Sequence, residues 1–237
     1  MKKHLVLFLG LILSYTVIDY SSFIGYSWSK KMVDQSLQST LIVIKTFKDE
    51  AYLGSAVIIK ADGTALTAAH VASSTSALVA YTRDGRKYNL RLLMRDRYKD
   101  LALVQPEMSA QHFKFCPIQK SNDLYIGQDV LIVGHPEGEF YTVTNGIITN
   151  LDYFWWVQCF VIKTNALVRP GNSGGGMFNT KGELIGIISA MQLDMFWQPT
   201  GIGVAISIKE IHKFLKKYED SIKVFKQIKR HSIRELL

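Results

Sequence analysis

From about Ser39 onward the chain is written in short apolar, β-branched runs separated by glycine turns, and this texture restricts its fold more than any other feature. Leu41-Ile42-Val43-Ile44 and Ala56-Val57-Ile58-Ile59 have strand length. Ala61-Asp62-Gly63, Arg83-Asp84-Gly85 and Asn179-Thr180-Lys181-Gly182 read as hairpin turns. Strands this short at this spacing build barrels or a sandwich. Hydrophobic residues at 48% supply a core, and charged residues at 20% argue against disorder. A break around residues 111–123 divides the chain into halves of similar size, with no repeat at solenoid period. The expectation is an all-β chain of two halves.

Three segments point to chemistry. Pro170-Gly171-Asn172-Ser173-Gly174-Gly175-Gly176 hems a serine between glycines, so that a hydroxyl sits on a tight turn where amide N–H groups can converge on one point. Leu66-Thr67-Ala68-Ala69-His70-Val71 places a histidine at the end of a small-residue strand. Between them, Lys99-Asp100-Leu101-Ala102-Leu103-Val104 opens an apolar run with an aspartate. The order His70, Asp100, Ser173 is that of one known Ser-His-Asp arrangement. In that arrangement the serine attacks a carbonyl, the histidine carries its proton, and the aspartate fixes the histidine tautomer. Taken singly, each residue has a plainer reading as a packing histidine, a turn aspartate or a connecting turn. Asp96 competes with Asp100 but stands between Arg95 and Arg97 and reads as a solvated charge.

With these residues in view, the chain resembles the HtrA/Deg branch of the trypsin-like serine proteases over roughly residues 36–215. The resemblance rests on Gly54–Ile59 with Ala65–His70, on Lys99–Val104, on Asp129–Gly138 and Val143–Ile148, on Thr164–Gly175, and on Gly201–Ile206. It implies two chymotrypsin-like antiparallel β-barrels, residues 36–115 and 122–207, with the site in the cleft between them. It also implies an oxyanion hole made by backbone N–H groups of Gly171 and Ser173, with Asn172 setting the turn. A primary specificity pocket lined by Val168, Ser189, Ala190 and Met191 follows from the same resemblance. No acid stands among those residues, so a small or medium aliphatic side chain before the scissile bond is expected. Polypeptide substrates, unfolded or misfolded proteins of the cell envelope, and a homo-oligomer, a trimer in many relatives, are further implications. The segment 27–38 that would decide the oligomer carries no readable signal. The rival readings are a catalytically silent scaffold of the same fold that binds partners, and a protein acting at a membrane surface.

The sequence departs from the family pattern at four places. Ala56 stands where a second glycine is common, Arg169 where asparagine is frequent, His135 where asparagine is usual, and Gly176 where proline is often found. At 237 residues a PDZ domain of the kind many relatives carry is not expected, nor peptide-gated regulation by one.

The ends of the chain differ in character from the middle. Met1-Lys2-Lys3-His4 followed by Leu5–Leu13 has the layout of a secretory signal, so residues 1–28 read as a signal peptide or a retained signal anchor, with export of the remainder. The uncharged stretch Leu5–Ile18 is 14 residues, short of the ~20 a transmembrane helix needs. Ile208, Ile211, Leu215, Tyr218, Ile222 and Phe225 recur at helical steps, predicting an amphipathic basic helix over 208–237 whose first turns pack on the second barrel. From Lys209 onward nine Lys/Arg face four acids, which accounts for +5 of the net charge of +8. That local excess suits a membrane surface, and no nucleic-acid motif accompanies it. Cys116 and Cys159 lie in apolar contexts and read as buried free thiols, with a single disulfide as the alternative in an exported chain. No cysteine–histidine spacing implies a metal, and no cofactor is expected. The aromatic run Tyr153-Phe154-Trp155-Trp156 and the pair Phe196-Trp197 are candidates for subunit or membrane contact, or for packing within the chain.

Overall fold

The computed structural model describes residues 28–47, 50–72, 77–107, 112–154, 158–193, 195 and 198–234, excepting the side chains of Phe47 and of residues 226–234. The apolar segment 1–27 and the side chains of Trp155, Trp156, Phe196 and Trp197 lie outside the described residues.

Helix α1 (Lys30–Gln38) is followed by strands β1 (Thr40–Phe47), β2 (Glu50–Ile58), β3 (Ala65–Thr67), β4 (Ala77–Tyr81), β5 (Lys87–Asp96) and β6 (Leu101–Pro106). These six close into an antiparallel barrel in the order β1-β2-β3-β6-β5-β4. A second closed antiparallel barrel, β10-β11-β12-β9-β8-β7, uses β7 (Asp129–Gly134), β8 (Thr142–Phe154), β9 (Cys159–Thr164), β10 (Gly176–Phe178), β11 (Leu184–Leu193) and β12 (Pro199–Ser207). Helix α2 (Ile208–Arg234) follows directly. This is the two-barrel, chymotrypsin-like architecture that the resemblance implied.

The central strands read as unbroken apolar runs because both of their faces are buried. Alternate side chains of a strand point to opposite faces. Ala56, Ala65, Ala102 and Val104 therefore fill the first barrel, while Val57, Leu66, Leu101 and Leu103 face outward. On the other side Val130, Ile132 and Ala205 fill the second barrel, while Leu131, Val133, Val204 and Ile206 face outward. The two outward sets meet in one seam that also holds the fully buried Phe178. Gly176, where the family pattern favours proline, lies at this seam: a Cβ there would stand 2.4 Å from the Phe178 ring. The seam fixes one barrel against the other, and the site lies along it.

Both helices close the seam. Met32, Val33 and Leu37 of α1 and Ile208, Ile211 and Phe214 of α2 join the same cluster. The α2 stripe departs from its sequence reading only at Phe214, which the periodic positions did not include. Phe214 is buried, whereas Phe225 is 68% exposed, because the helix has left the barrel by its fifth turn. Buried Glu210, in its first turn, is paired with Lys213 at 2.9 Å and with Lys99, beside the aspartate segment of the first barrel. Burial alone would raise the Glu210 carboxyl, but the hydrogen bonds from the two lysines outweigh it and hold the pKa below the usual value. Cys116 and Cys159 are free and buried, and burial pushes both thiols up to about 12. Tyr153 packs on Phe160 at 4.6 Å between ring centres, and Lys163 lies over Phe154 at 5.7 Å, so these two aromatics make contacts within the β8–β9 hairpin. Among the described residues no helix is long and apolar enough to cross a membrane.

Candidate active site

His70 lies three residues beyond β3, on a tight turn in which Val71 and Ala72 donate to the Ala68 carbonyl at 3.1 and 3.2 Å. Two cations of the first barrel hold this turn from outside: Arg95 Nε donates to Ala69 O at 2.8 Å and Lys45 Nζ to His70 O at 3.0 Å. Asp100 reaches His70 from the turn before β6. Its carboxylate accepts the His70 backbone N–H at 3.0 Å and lies 3.0 and 2.9 Å from Nδ1 through its two oxygens. A carboxylate can only accept, so Nδ1 carries a proton, and in the neutral imidazole Nε2 then presents a lone pair. The imidazole is 52% exposed and Asp100 22%, which opens His70 to the cleft.

Asp96, the competing acid, is spent within its own turn, where Oδ1 accepts the N–H groups of Tyr98 and Lys99, each at 3.1 Å. That turn puts Asp100 in the left-handed region at φ 51°, immediately ahead of buried Leu101. Its carboxylate is thereby delivered at the end of a fully packed strand.

Ser189 links the two halves. A β-bulge between Ile188 and Ala190 leaves it unpaired with β12. Ile188 stays in the second barrel's core, while the Ser189 hydroxyl crosses the seam and donates to Asp100 Oδ2 at 2.5 Å. Its carbonyl accepts the Ser173 hydroxyl at 3.3 Å. Among the described residues this carbonyl, and not the His70 imidazole, is the partner of Ser173 Oγ.

The serine turn is wedged between the barrels, and this accounts for its glycines. Gly174 has φ +85°, and a Cβ there would stand 2.1 Å from the Ser55 carbonyl. Gly171 has φ +100°, and a Cβ there would stand 2.1 Å from the His135 carbonyl. Ser55 N–H donates to Ser173 O at 2.8 Å, so the turn is pinned to β2 across the seam. Peptide planarity then sets the N–H directions, because C=O and N–H of a trans peptide point oppositely. Pro170 O accepts Glu137 N–H at 2.8 Å, and Asn172 O accepts Gly175 N–H at 2.8 Å. The N–H groups of Gly171 and Ser173 therefore face away from these partners, and among the described residues neither is given to an acceptor. Asn172, between them, is buried with its side chain against Gly134.

Of the residues assigned to the pocket, Val168 is buried among the second-barrel core residues with Met191 packed against them, and Ala190 is exposed. A Cβ on Gly203 would lie 2.5 Å from Val168 Cγ2, so the valine fills the space over that glycine. Ser189 reaches Asp100 with its side chain and turns its carbonyl toward Ser173.

Sequence reasoning did not single out Ser55, Glu137 or Ser189's hydroxyl as site groups. Only the departures at His135 and Arg169 mark this neighbourhood. Arg169 pairs with exposed Glu137 at 3.1 Å, and His135 is wholly buried with Nδ1 2.8 Å from Ser55 Oγ.

The comparisons with known proteins agree with this geometry. Residues 54–187 match the model of the trypsin-like peptidase domain. The chain is 38% identical over 164 residues to a putative serine protease HhoA of Synechocystis, an alignment spanning 66% of this chain and 40% of that protein. It is 33% identical over 186 residues to a probable periplasmic serine endoprotease DegP-like of Buchnera aphidicola, spanning 75% and 37%. A serine protease HtrA-like of Staphylococcus aureus is 32% identical over 208 residues, spanning 81% and 26%. The chain thus covers well under half the length of these relatives. Among solved structures, an HtrA-type protease AlgW with tripeptide superposes with a TM-score of 0.71 at 31% identity, covering 78% of this chain and 61% of that one. With its two barrels and its serine turn wedged between them, the chain belongs to the trypsin-like peptidase family, and its relatives are of the HtrA type.

Proposed function

We propose that the chain is a serine endopeptidase whose catalytic groups are Ser173, His70 and Asp100. The observation that carries this reading is the Asp100–His70 pair, with both carboxylate oxygens within 3.0 Å of Nδ1 and Nε2 left bare toward the cleft. Ser173 Oγ leaves Ser189 O by rotation about one side-chain bond and attacks the substrate carbonyl carbon, passing its proton to His70 Nε2. The negative charge that develops on the carbonyl oxygen is met by the N–H groups of Gly171 and Ser173. The imidazolium, stabilised by Asp100, returns the proton to the leaving amine as the C–N bond breaks. Water then hydrolyses the acyl-enzyme by the same relay, and the scheme needs no metal or cofactor.

The same reading assigns Val168, Ala190 and Met191 to a shallow pocket for a small or medium aliphatic residue, with Val168 over Gly203 limiting its depth. Unfolded or misfolded envelope proteins are the proposed substrates, supported by relatives named periplasmic. Residues 1–28 are proposed as the export signal or anchor, and a homo-oligomer as the working form.

The test is labelling of the full chain with a fluorophosphonate probe beside Ser173→Ala. Labelling that disappears in the variant supports the reading. The Ser173–Ser189 hydrogen bond favours a second reading, a silent scaffold. Folded protein that stays unlabelled even with unfolded polypeptide added would establish that alternative.

A further inference from the structure

His135 and Ser55 form a buried pair that the proposed chemistry does not use. Ser55 lies on β2 of the first barrel and His135 just past β7 of the second. The Ser55 hydroxyl lies 2.8 Å from Gly171 O and 2.8 Å from His135 Nδ1. A hydroxyl has one hydrogen, and Gly171 O can only accept. That hydrogen therefore goes to Gly171 O, and His135 Nδ1–H donates to Ser55 Oγ. The assignment leaves Nε2 without a proton. Among the described residues that nitrogen is buried with no hydrogen-bond partner. An under-satisfied acceptor is tolerated inside a protein more readily than an orphaned N–H, which favours the same tautomer.

We infer that His135, acting through Ser55, is a positioning residue that fixes the middle peptide of the oxyanion turn. Resting on the proposed function, the inference adds the device that keeps its oxyanion donors aligned. The outer two peptides of the turn are held by backbone partners, Glu137 N–H on Pro170 O and Gly175 N–H on Asn172 O. The peptide between Gly171 and Asn172 is held on its carbonyl side by the Ser55 side chain and on its N–H side by Arg169 O at 3.1 Å. A glycine pivots at little steric cost, so without the Ser55 bond this peptide keeps only the Arg169 contact and can turn about Gly171, carrying the neighbouring N–H groups off target. Residues from both barrels supply the clamp, so the oxyanion turn is set only when the barrels are docked.

The experiment uses the full chain and four proteins: wild type, Ser55→Ala, His135→Leu and His135→Asn. The Asn amide keeps an N–H donor near the position of Nδ1, so it is the conservative variant. Ser55→Ala and His135→Leu are expected to lower kcat and the fluorophosphonate labelling rate, approaching the ~10² that loss of a single oxyanion donor costs. Affinity for a peptide boronate should fall by the same factor while KM stays put, and His135→Asn should recover most of the rate. Folded variants whose melting temperature falls but whose labelling rate and boronate affinity do not would overturn the inference. Unlabelled wild type would instead sink the proposed function. The relay is then decided by nitrogen NMR of histidine-labelled protein. A protonated Nδ1 and a bare Nε2 on His135, with Nδ1–H losing its protection from exchange in Ser55→Ala, supports it; the opposite tautomer overturns it.

Discussion

The Ser189 hydroxyl donates to Asp100 Oδ2 at 2.5 Å, across the seam between the barrels. Asp100 belongs to the first barrel and Ser189 to a bulge in β11 of the second, so the acid that orients His70 is itself oriented by the opposite half. A hydrogen bond to a charged group contributes about 1.5 kcal/mol or more. Ser189→Ala is accordingly expected to lower kcat roughly tenfold, the equivalent of that energy. KM should hardly move, because the backbone carbonyl of residue 189 remains. Steady-state kinetics on a peptide substrate would check this, and a change in KM alone would contradict it.

Gly171→Ala makes a sharper case. The backbone there is at φ +100°, and the new methyl would collide with the His135 carbonyl at 2.1 Å. Neither atom is at the end of a flexible side chain, so the turn itself must move. The expected result is a loss of labelling of at least ~10²-fold, as for removal of an oxyanion donor. A stability loss of roughly 1–3 kcal/mol from backbone strain should accompany it. Probe labelling alongside a urea titration separates the two effects. A folded variant that labels at the wild-type rate would show that the turn does not need its observed conformation.

Much of this was legible in the sequence, and the residues show where legibility stops. Strand texture predicted an all-β chain of two halves because the apolar runs are short and bounded by glycine turns, as at Gly63, Gly85 and Gly182, all with positive φ; that the halves are barrels came from the family resemblance. His70, Asp100 and Ser173 could be singled out as candidates because each stands beside a recognisable segment. Asp96 and Asp100 could be separated by their neighbours, but the turn that consumes Asp96 was not foreseen. Helix α1 was missed because only Met32, Val33 and Leu37 mark its buried stripe, too few to establish a period. Phe214 was missed because the three- and four-residue steps of the sequence reading pass through Leu215 beside it. The contacts of Ser55, His135 and the Ser189 hydroxyl were invisible for a different reason. Ser55 and His135 meet across 80 residues of sequence and Ser189 and Asp100 across 89, and no local pattern encodes the docking of two barrels.

His135 also predicts a response to acid. Burial lowers its pKa from 6.5 to about 3, with Ser55 and the rings of Tyr141 and Phe140 as its neighbours. In the unfolded chain the same imidazole takes up a proton near 6.5. Between those values the unfolded state binds more protons, so stability is full above about pH 6.5 and is lost as pH falls toward 3. Each pH unit inside the window removes up to about 1.4 kcal/mol. Urea midpoints of wild type and His135→Asn should run parallel above that window and differ in slope within it, with the wild type falling more steeply. Parallel curves throughout would mean that His135 titrates alike in both states.

In the proposed pocket the depth falls to Val168, whose Cγ2 occupies the space over Gly203 at 2.5 Å from where a Cβ would stand. The side chain is buried and also packs against the second-barrel core, so truncation removes both a wall and some packing. Val168→Ala is expected to cost stability in the range of 1–3 kcal/mol, since it deletes two buried methyl groups. For the same reason it should deepen the pocket. A methylene accommodated in a hydrophobic pocket is worth about 1–3 kcal/mol in kcat/KM. The ratio of cleavage after leucine to cleavage after alanine should therefore rise at least several-fold in matched peptides, measured on protein verified as folded. If the ratio stays constant while stability falls, Val168 is a core residue only, and the specificity wall must be sought along Ala190 and Met191.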